Sequence, residues 1–394
     1  MNIPITKPYF DNEEYEIITK PLDTGWVTQG PYVQKFEQAI SHFTNASFAI
    51  AVNSCTSGQF IMSRIINLEP GDEVIVPSFT WISTANSIEF LGARAILCDI
   101  DITTYNIDIN QIVEKISRKT KAIYPVHLFG LPADMFEIMK IAHEHNLLVI
   151  EDCACALGAK INNKHCGLFG EGGILSFHPR KSITTGEGGM IITNDEKVAK
   201  MASSLRDHGA SKTDYDRHNP KGSYFLTEYD YLGYNMRMTD IQGALGLAQS
   251  KKITKILERK RELAGIYNNE LKNISWLGIP TVPVSYTHGY QTYCTLYKPE
   301  ETSKAIAEKN IKKINLLHDE RNSIMSRLEN KGIASRQGTH AVHIQKIYRE
   351  KYKYKPDDFI ASYAADKLTI AIPFFPTISE QEIDYLFEQL RKID

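Results

Sequence analysis

One segment of the chain places a lysine between an apolar stretch and a turn rich in glycine. The segment runs Ser-Phe-His-Pro-Arg-Lys-Ser-Ile-Thr-Thr-Gly-Glu-Gly-Gly from Ser176 to Gly189, and Lys181 lies near its middle. A lysine is ordinarily a solvated surface group. On a loop at the carboxyl edge of a sheet, opposite a buried carboxylate, a lysine can instead have its amine pKa lowered and act as a nucleophile. We therefore take Lys181 as a candidate nucleophile.

A carboxylate in a poorly solvated position is supplied by Asp152. It follows the apolar run Leu147 to Ile150 and precedes Cys153-Ala154-Cys155-Ala156-Leu157. Burying a carboxylate costs several kcal/mol unless a cation or hydrogen-bond donors meet it. Asp152 is therefore expected to have a partner, which is either a functional group or the cation of a purely structural ion pair.

Two further features could hold a flat, phosphorylated ligand. Asn53-Ser54-Cys55-Thr56-Ser57-Gly58 precedes an apolar helix, and hydroxyls with free N–H groups at a helix N-terminus can bind phosphate. An ordinary N-cap explains the same residues. Trp81 follows an apolar strand and could cover an aromatic ligand, although the sequence alone favours a core tryptophan.

Together these residues match the needs of one cofactor, pyridoxal phosphate (PLP). PLP requires a lysine for covalent attachment, a carboxylate for the pyridine nitrogen, an aromatic face and a phosphate site. In that order, the candidates are Lys181, Asp152, Trp81, and Thr56 with Ser57 and Ser176.

Other chemistries fit the sequence less well, and we predict no metal site. Cys153, Cys155, His165 and Cys166 are zinc-capable, but their spacing is not that of paired zinc knuckles. His340 and His343 are better explained by a substrate-facing or structural role than by metal binding. The glycines that end at Gly189 enter a strand rather than a helix, which disfavours a dinucleotide-binding motif.

The elements that must position these residues alternate between strand and helix. Apolar runs typical of strands occur at 74–76, 95–97, 122–124, 147–150, 174–175 and 190–192. Helical spacing at 134–145 and 196–206 separates some of them. Such alternation predicts an α/β domain with a mostly parallel sheet, and ligands bind at the carboxyl ends of its strands.

After Arg237 the sequence no longer alternates regularly between strand-like and helical runs. Thr239 to Gln242 has the form of a capping box, and a charged helical stretch follows to about Leu271. Beyond it, the strand-like runs 293–297 and 368–372 mix with the helical runs 323–330 and 379–390. We predict a large PLP-binding α/β domain with an N-terminal arm at residues 1–250 and a smaller α+β domain at residues 251–394.

Composition excludes several classes of protein. The chain has 394 residues, a formal charge of −2 and an apolar fraction of 42%. A broadly basic nucleic-acid binder and a disordered acidic tail are therefore not expected. No apolar run reaches about 18 residues, so no membrane span is predicted. Without a recognisable secretory signal we expect a cytoplasmic protein with six reduced cysteines.

Several stretches, taken in order, resemble the DegT/DnrJ/StrS-type sugar aminotransferases, a branch of the fold type I PLP enzymes. The matching stretches are Gly25 to Pro31, Gly71 to Pro77, Pro125 to Gly130, Glu151-Asp152, Ser176 to Gly189 and Gly233 to Met238. They extend over nearly the whole chain and are densest between residues 22 and 250. This series is more specific than any one of its members.

The resemblance implies the fold type I architecture, with a mostly parallel seven-stranded-type sheet and a homodimer that shares its active sites. It assigns Lys181 to the Schiff-base lysine, Asp152 to the partner of the pyridine nitrogen and Trp81 to the stacking position. Thr56, Ser57 and Ser176 match phosphate contacts, and Asn235 matches an asparagine that reaches the phosphate from the neighbouring subunit. A related group of dehydratases has histidine in place of the lysine, so Lys181 favours transamination.

Three positions depart from the family pattern. Cys155 stands where Gln or His is common, Cys55 replaces a frequent glycine, and Met236 replaces a frequent tyrosine. None of these changes removes an indispensable charge, although the first two alter the surroundings of the cofactor.

The resemblance also implies substrates. We expect L-glutamate as amino donor and a nucleotide-linked 4-keto-6-deoxyhexose as acceptor, in O-antigen or other polysaccharide synthesis. Arg336 to Ile344 resembles the carboxy-terminal signature of the family, which makes Arg336 and His340 candidate substrate residues. The alternative acceptor is a 3-keto sugar nucleotide. The alternative functions are a PLP-binding regulatory relative without turnover and a zinc lyase or hydrolase. No nucleic acid or membrane partner is expected.

Overall fold

The computed structural model describes residues 1–211 and 227–393, and these form the following elements. The strands are β1 (Phe48–Val52), β2 (Glu73–Pro77), β3 (Arg94–Cys98), β4 (Thr120–Ile123), β5 (Leu148–Asp152), β6 (Lys160–Ile161), β7 (Lys164–His165), β8 (Gly172–Ser176), β9 (Gly189–Thr193), β10 (Leu277–Gly278), β11 (Tyr286–Thr287), β12 (Cys294–Tyr297) and β13 (Thr369–Ala371).

The α-helices are α1 (Asn12–Ile17), α2 (Lys20–Thr24), α3 (Pro31–Thr44), α4 (Cys55–Ile65), α5 (Ser83–Glu89), α6 (Ile109–Lys115), α7 (Met135–His145), α8 (Glu196–Leu205), α9 (Asp240–Ser250), α10 (Ile253–Leu271), α11 (Pro299–Ala307), α12 (Ile311–Asn330), α13 (Lys346–Tyr352), α14 (Ile360–Leu368) and α15 (Glu380–Arg391). Short 3₁₀ helices lie at Leu128–Gly130, Val342–Ile344 and Pro356–Phe359.

The main sheet has seven strands in the order β1-β9-β8-β5-β4-β2-β3. Neighbours from β8 to β3 are parallel, whereas β9 runs antiparallel to both β8 and β1. The predicted mostly parallel α/β sheet is therefore confirmed. Because β8 and β9 are antiparallel neighbours, the loop that joins them lies at the carboxyl edge of the parallel strands.

Both faces of this sheet are covered, which explains why its strands are continuous apolar runs. Val74 and Val76 pack in a core with residues of α4 and α5. Ile75 lies between them in sequence, and it packs in a second core with Met135 and Ile138 of α7. Because successive strand residues point to opposite faces, an alternating apolar and polar pattern would have left one face polar.

The sequence located six of the seven strands of the main sheet and missed β1. All six predicted strands are present, as β2, β3, β4, β5, β8 and β9, and the predicted helices at 134–145 and 196–206 are α7 and α8. Asp134 and Asp195 accept N–H bonds as their N-caps, and Thr239 with Gln242 forms the predicted capping box of α9. The missed strand β1 contains two alanines in five residues, a composition that weakens a strand signal.

A separate core, the aromatic core, lies in the carboxy-terminal part of the chain. It is formed around the sheet β10-β12-β13 and is rich in aromatic residues such as Tyr267, Tyr293 and Phe374. Helix α10 contributes to two cores. Ile256 and Leu257 pack with the main sheet, whereas Leu263 and Tyr267 pack in the aromatic core. The domain boundary after residue 250 remains a prediction.

Two expectations from composition can be compared with the structure. All six cysteines are free, as expected. Within residues 1–211 and 227–393, no helix is long and apolar enough to cross a membrane.

The buried His165 makes a pH-dependent contribution to stability. The Gly158 N–H donates to its Nε2 at 2.9 Å, while Nδ1 bonds the Cys166 carbonyl oxygen. Burial lowers the pKa of His165 to about 4. Because an unfolded histidine titrates near pH 6.5, the unfolded chain gains this proton first as the pH falls. The stability contributed by neutral His165 is therefore present above pH 6.5 and lost as the pH falls towards 4.

We predict that His165→Gln reduces the acid sensitivity of the fold. Between pH 7 and pH 4.5, the wild type should lose roughly 2 kcal/mol more unfolding free energy than the variant, as measured by urea denaturation. His42→Asn, at an exposed position, should keep the wild-type pH dependence. Equal losses in wild type and His165→Gln would contradict the prediction.

Candidate active site

The loop from β8 to β9 is folded back on itself and presents Lys181. The Phe177 N–H donates to the Gly188 carbonyl at 2.9 Å, and the Thr185 N–H donates to the Phe177 carbonyl at 3.0 Å. The Lys181 Nζ lies 3.3 Å from the Cys155 Sγ and donates to it. The lysine therefore lies on a closed loop at the carboxyl edge of the sheet, as predicted.

The electrostatic surroundings of Lys181 differ from our expectation. Burial lowers the pKa of its amine, but interactions with Cys155, Cys55 and Asp152 outweigh burial and raise it above the ordinary value. The expected lowering of the lysine pKa is therefore wrong for the chain without a ligand. The sequence could not balance burial against neighbours supplied by two other segments, around Cys55 and from Asp152 to Cys155.

Asp152 is buried at the end of β5 and is held by neutral donors. Its Oδ2 accepts hydrogen bonds from the Gln59 Nε2 at 2.6 Å and the Thr84 Oγ1 at 2.7 Å. Its Oδ1 accepts the Ala154 N–H at 3.0 Å. Within the described part of the chain, no cationic side chain hydrogen-bonds this carboxylate. The structural ion pair considered from sequence is thus not the explanation, and Oδ1 can accept another donor.

The first turn of α4 carries the hydroxyl residues of the predicted anion cradle. Ser54 is the N-cap, and its Oγ accepts the Ser57 N–H at 3.1 Å. The Ser57 hydroxyl donates to the Asn53 Oδ1 at 2.6 Å, and Thr56 lies beside it in the same turn. The N-cap and the cradle are therefore not alternatives. Ser54 caps the helix, while the hydroxyl residues after it surround its positive end.

Ser176 pairs with a residue that closely approaches the start of α4. It pairs with Gly189 across β8 and β9. A Cβ on Gly189 would lie 2.6 Å from the Cys55 backbone nitrogen, a distance that no side chain tolerates. The last glycine of the loop therefore allows β9 to lie against the start of α4. As a result, Ser176 comes to the same edge as Thr56 and Ser57.

Trp81 lies outside the core. Its side chain is 61% exposed, so the core role favoured by sequence alone is wrong. Its ring packs against His340, with centroids 5.8 Å apart. The Thr84 N–H donates to the Trp81 carbonyl at 3.3 Å, which connects this aromatic residue to the turn that holds Asp152.

Asn235 is exposed on a segment beside the cradle. The next residue, Met236, accepts the Asn53 N–H at 2.9 Å through its carbonyl oxygen. Tyr229 and Leu232, close to Asn235 in sequence, are also exposed, with Leu232 at 86%. The role of Asn235 in a neighbouring subunit stays a prediction.

The two candidate substrate residues lie in different surroundings. His340 contacts Trp81, whereas Arg336 lines a cavity that also contains Arg180, the residue before Lys181. Arg336 is fixed by its backbone N–H, which donates to the Ala371 carbonyl at 3.0 Å. His343, the other member of the histidine pair, is fully buried.

The structure does not bring the four zinc-capable residues together as a ligand set. Both ring nitrogens of His165 are used in hydrogen bonds to the backbone. Burial also raises the pKa values of Cys153 and Cys166 well above the ordinary value, so both remain thiols, whereas zinc binds thiolates.

Among the described residues, the set with metal-like spacing is instead His127, Glu151 and Cys153, whose ligand atoms lie within 4.8 Å of one another. Glu151 accepts N–H bonds from Gly167, Phe169 and Gly170 and contacts the His127 Nε2. These bonds explain the buried carboxylate without an ion. The cluster belongs to the structural core below the site.

These observations test whether the site suits PLP. A buried carboxylate with only neutral donors is suited to a protonated ring nitrogen. The hydroxyl-rich helix N-terminus is suited to a phosphate, and Lys181 lies near both groups. The residues present therefore fit this cofactor.

Sequence reasoning missed three residues of the site. Gln59 lies three positions after Thr56 in α4, and Thr84 lies three positions after Trp81, so helical spacing could have indicated both. Lys260 of α10 could not be found in this way. It is buried, and its amine contacts the Ser182 Oγ and the Gln291 carbonyl, each at 3.3 Å. Burial lowers its pKa to about 7.

Comparison with known proteins gives consistent matches along the chain. A sequence model of the DegT/DnrJ/EryC1/StrS aminotransferase family matches residues 8–391. The chain is 34% identical over 391 residues to the spore coat polysaccharide biosynthesis protein SpsC of Bacillus subtilis (strain 168), covering 99% of this chain and 97% of SpsC. It is 32% identical over 391 residues to GDP-perosamine synthase of Escherichia coli O157:H7, covering 99% and 98%.

A solved structure shows the same fold. The aminotransferase from Psychrobacter cryohalolentis superposes with a TM-score of 0.87 at 27% identity, and the match covers 98% of each chain.

We predict that Thr84→Val weakens PLP binding about tenfold, because one of the two donors to the Asp152 Oδ2 is lost from a buried carboxylate. Thr84→Ser keeps the hydroxyl and should bind nearly as well as the wild type. The measurement is an absorbance titration of the apo protein with PLP. If the valine and serine variants bind equally well, Thr84 does not position this carboxylate.

Proposed function

Because the chain belongs to the DegT/DnrJ/EryC1/StrS aminotransferase family and is a PLP-dependent sugar aminotransferase, we propose that it aminates a nucleotide-linked 4-keto-6-deoxyhexose with L-glutamate as donor. The observation that carries this proposal is the placement of Lys181, the buried Asp152 and the cradle of α4 at one sheet edge. Each is a separate requirement of PLP chemistry, and they come from three separate segments of the chain.

Different residues of the site would have different roles in transamination. When bound, PLP supplies an electron-withdrawing ring that stabilises negative charge at the carbon next to the transferred nitrogen. Asp152 would hold the proton on the ring nitrogen, with its own orientation set by Gln59 and Thr84. The first turn of α4 would bind the phosphate, and Trp81 would cover a face of the ring.

Lys181 would act as the acid and base of the reaction. Its Nζ would take the proton from the Cα of glutamate and return a proton to the sugar carbon in the second half of the cycle. Cys155 contacts this amine at 3.3 Å, and it is the neighbour that would orient Nζ between these two atoms. The products would be 2-oxoglutarate and the amino sugar.

The choice of sugar is supported by the chain and its relatives. Arg336 to Ile344 resembles the signature of the group that aminates C4, and one relative at 32% identity is a GDP-perosamine synthase. Another relative is a spore coat polysaccharide biosynthesis protein. We accordingly propose a role in supplying amino sugars for a surface polysaccharide.

The active site is proposed to be shared within a homodimer. Asn235 is exposed, and the exposed apolar side chains Tyr229 and Leu232 precede it. A second copy of the chain would cover these side chains and bring its Asn235 to the cradle. A regulatory relative without turnover is disfavoured because both Lys181 and Asp152 are retained.

We predict that Lys181→Ala abolishes the reaction with glutamate. The purified wild type with PLP should absorb visible light, and glutamate should remove that absorbance. The variant should respond at least about a thousandfold more slowly, since its acid and base is missing. Lys197→Ala, which removes an exposed lysine on α8, should behave as the wild type does.

The outcomes separate the alternatives. A wild type that takes up PLP but never responds to amino donors would support a regulatory relative, and one that takes up no PLP would refute the proposal. Incubation with 4-keto and 3-keto sugar nucleotides, followed by NMR of the product, then decides which carbon is aminated.

A further inference from the structure

A cavity beside the Lys181 loop carries positive charge without a matching negative charge. It has a volume of about 80 Å³, and its polar lining includes Arg180, Arg336, Gln291, Thr6, Thr292 and Gln337. The remaining lining residues are apolar or glycine, so no Asp or Glu lines the cavity. Two arginines therefore line a space that has no carboxylate of its own.

The side chain of neither arginine has a hydrogen-bond or ion-pair partner among the described residues. Both side chains are exposed, and neither guanidinium group hydrogen-bonds or pairs with a residue of 1–211 or 227–393. Other arginines of the chain are paired, since Arg206 contacts Glu37 and Arg237 contacts Asp207. Arg180 and Arg336 are thus available to an anionic ligand.

Hydrogen bonds connect residues that line the cavity to the loop that carries Lys181. Arg180 directly precedes Lys181, and its carbonyl accepts the Gln291 Nε2 at 2.9 Å. The Gln291 carbonyl in turn accepts the buried Lys260 Nζ at 3.3 Å, which also contacts Ser182 on the other side of Lys181. The cavity therefore adjoins the segment 180–182, which carries the proton-transferring Lys181.

We propose that this cavity binds a carboxylate of the amino donor and that Arg180 and Arg336 select a dicarboxylic amino acid. The inference rests on the proposed function and adds the residues that recognise the donor. Guanidinium groups bind carboxylates through two parallel hydrogen bonds, which fixes orientation as well as charge. The donor carries one carboxylate on the very carbon that loses its proton, so its binding site must lie beside Lys181.

The size of the cavity distinguishes the donor from the other anionic substrate. A volume of about 80 Å³ is several times the roughly 10–15 Å³ that one water requires, so it admits a carboxylate and a short chain. A nucleotide sugar is far larger, and its diphosphate lies a whole sugar ring away from the keto carbon. The diphosphate is therefore the alternative that the experiment must exclude.

The first test measures binding without turnover. Glutarate is a dicarboxylate that has no amino group and cannot react, so calorimetry of the PLP-loaded enzyme reports its affinity alone. Arg180→Gln and Arg336→Gln should each weaken glutarate binding about ten- to hundredfold. Arg349→Gln, at an exposed arginine of α13, is the matched control and should bind as the wild type does.

The second test measures specificity in the donor half-reaction. The loss of visible absorbance is titrated with glutamate and with glutamine, which differ only in the side-chain carboxylate. The arginine that meets the α-carboxylate should weaken both titrations when replaced, whereas the other should abolish the preference for glutamate. Melting temperature and PLP content confirm that each variant is folded.

Two results would overturn the inference. One is unchanged affinity for glutarate and glutamate in both variants. The other is weakened binding of the nucleotide sugar alone, which would assign the arginines to the diphosphate. If the wild type binds glutarate through both arginines but never responds to glutamate, the proposed function fails while the anion site stands.

Discussion

The site depends on a carboxylate that is buried without a cation. Burial of Asp152 would be costly if its oxygens were left bare, and Gln59, Thr84 and the Ala154 N–H supply the bonds that make it tolerable. These donors are neutral, so the negative charge is oriented but not cancelled. The charge remains available to a cationic ring nitrogen, and for that reason helices α4 and α5 must both lie against the end of β5.

The same requirement explains the arrangement around the cradle. Helix α4 holds Asp152 through Gln59 and starts with the hydroxyl residues proposed to bind the phosphate, so one helix would position both ends of the cofactor. Its start lies so close to β9 that only glycine fits at position 189. The glycine-rich turn after Lys181 is thus a packing requirement of the cradle as well as a flexible link.

Sequence reasoning predicted the parts of this site that depend on local pattern. Lys181, Asp152 and the residues Thr56 and Ser57 follow strands or open a helix, and the alternating elements predicted the edge where they meet. The pKa of Lys181 and the exposure of Trp81 were predicted wrongly from residue type. Both depend on which distant segments pack nearby: Cys155 and Cys55 for the lysine, and His340 for the tryptophan. The burial of Lys260 could not be predicted for the same reason, because nothing near it in sequence indicates that its amine is buried.

The long helix α10 has a consequence for how the chain folds. Its first turns complete the core beneath the main sheet, and its later turns belong to the aromatic core of the carboxy-terminal part. Ile3, at the other end of the chain, packs in that same aromatic core. A chain cut after residue 250 would leave each fragment without residues that its core requires. Each part therefore depends on residues of the other part for a complete core, and neither fragment would bury all of its apolar surface alone.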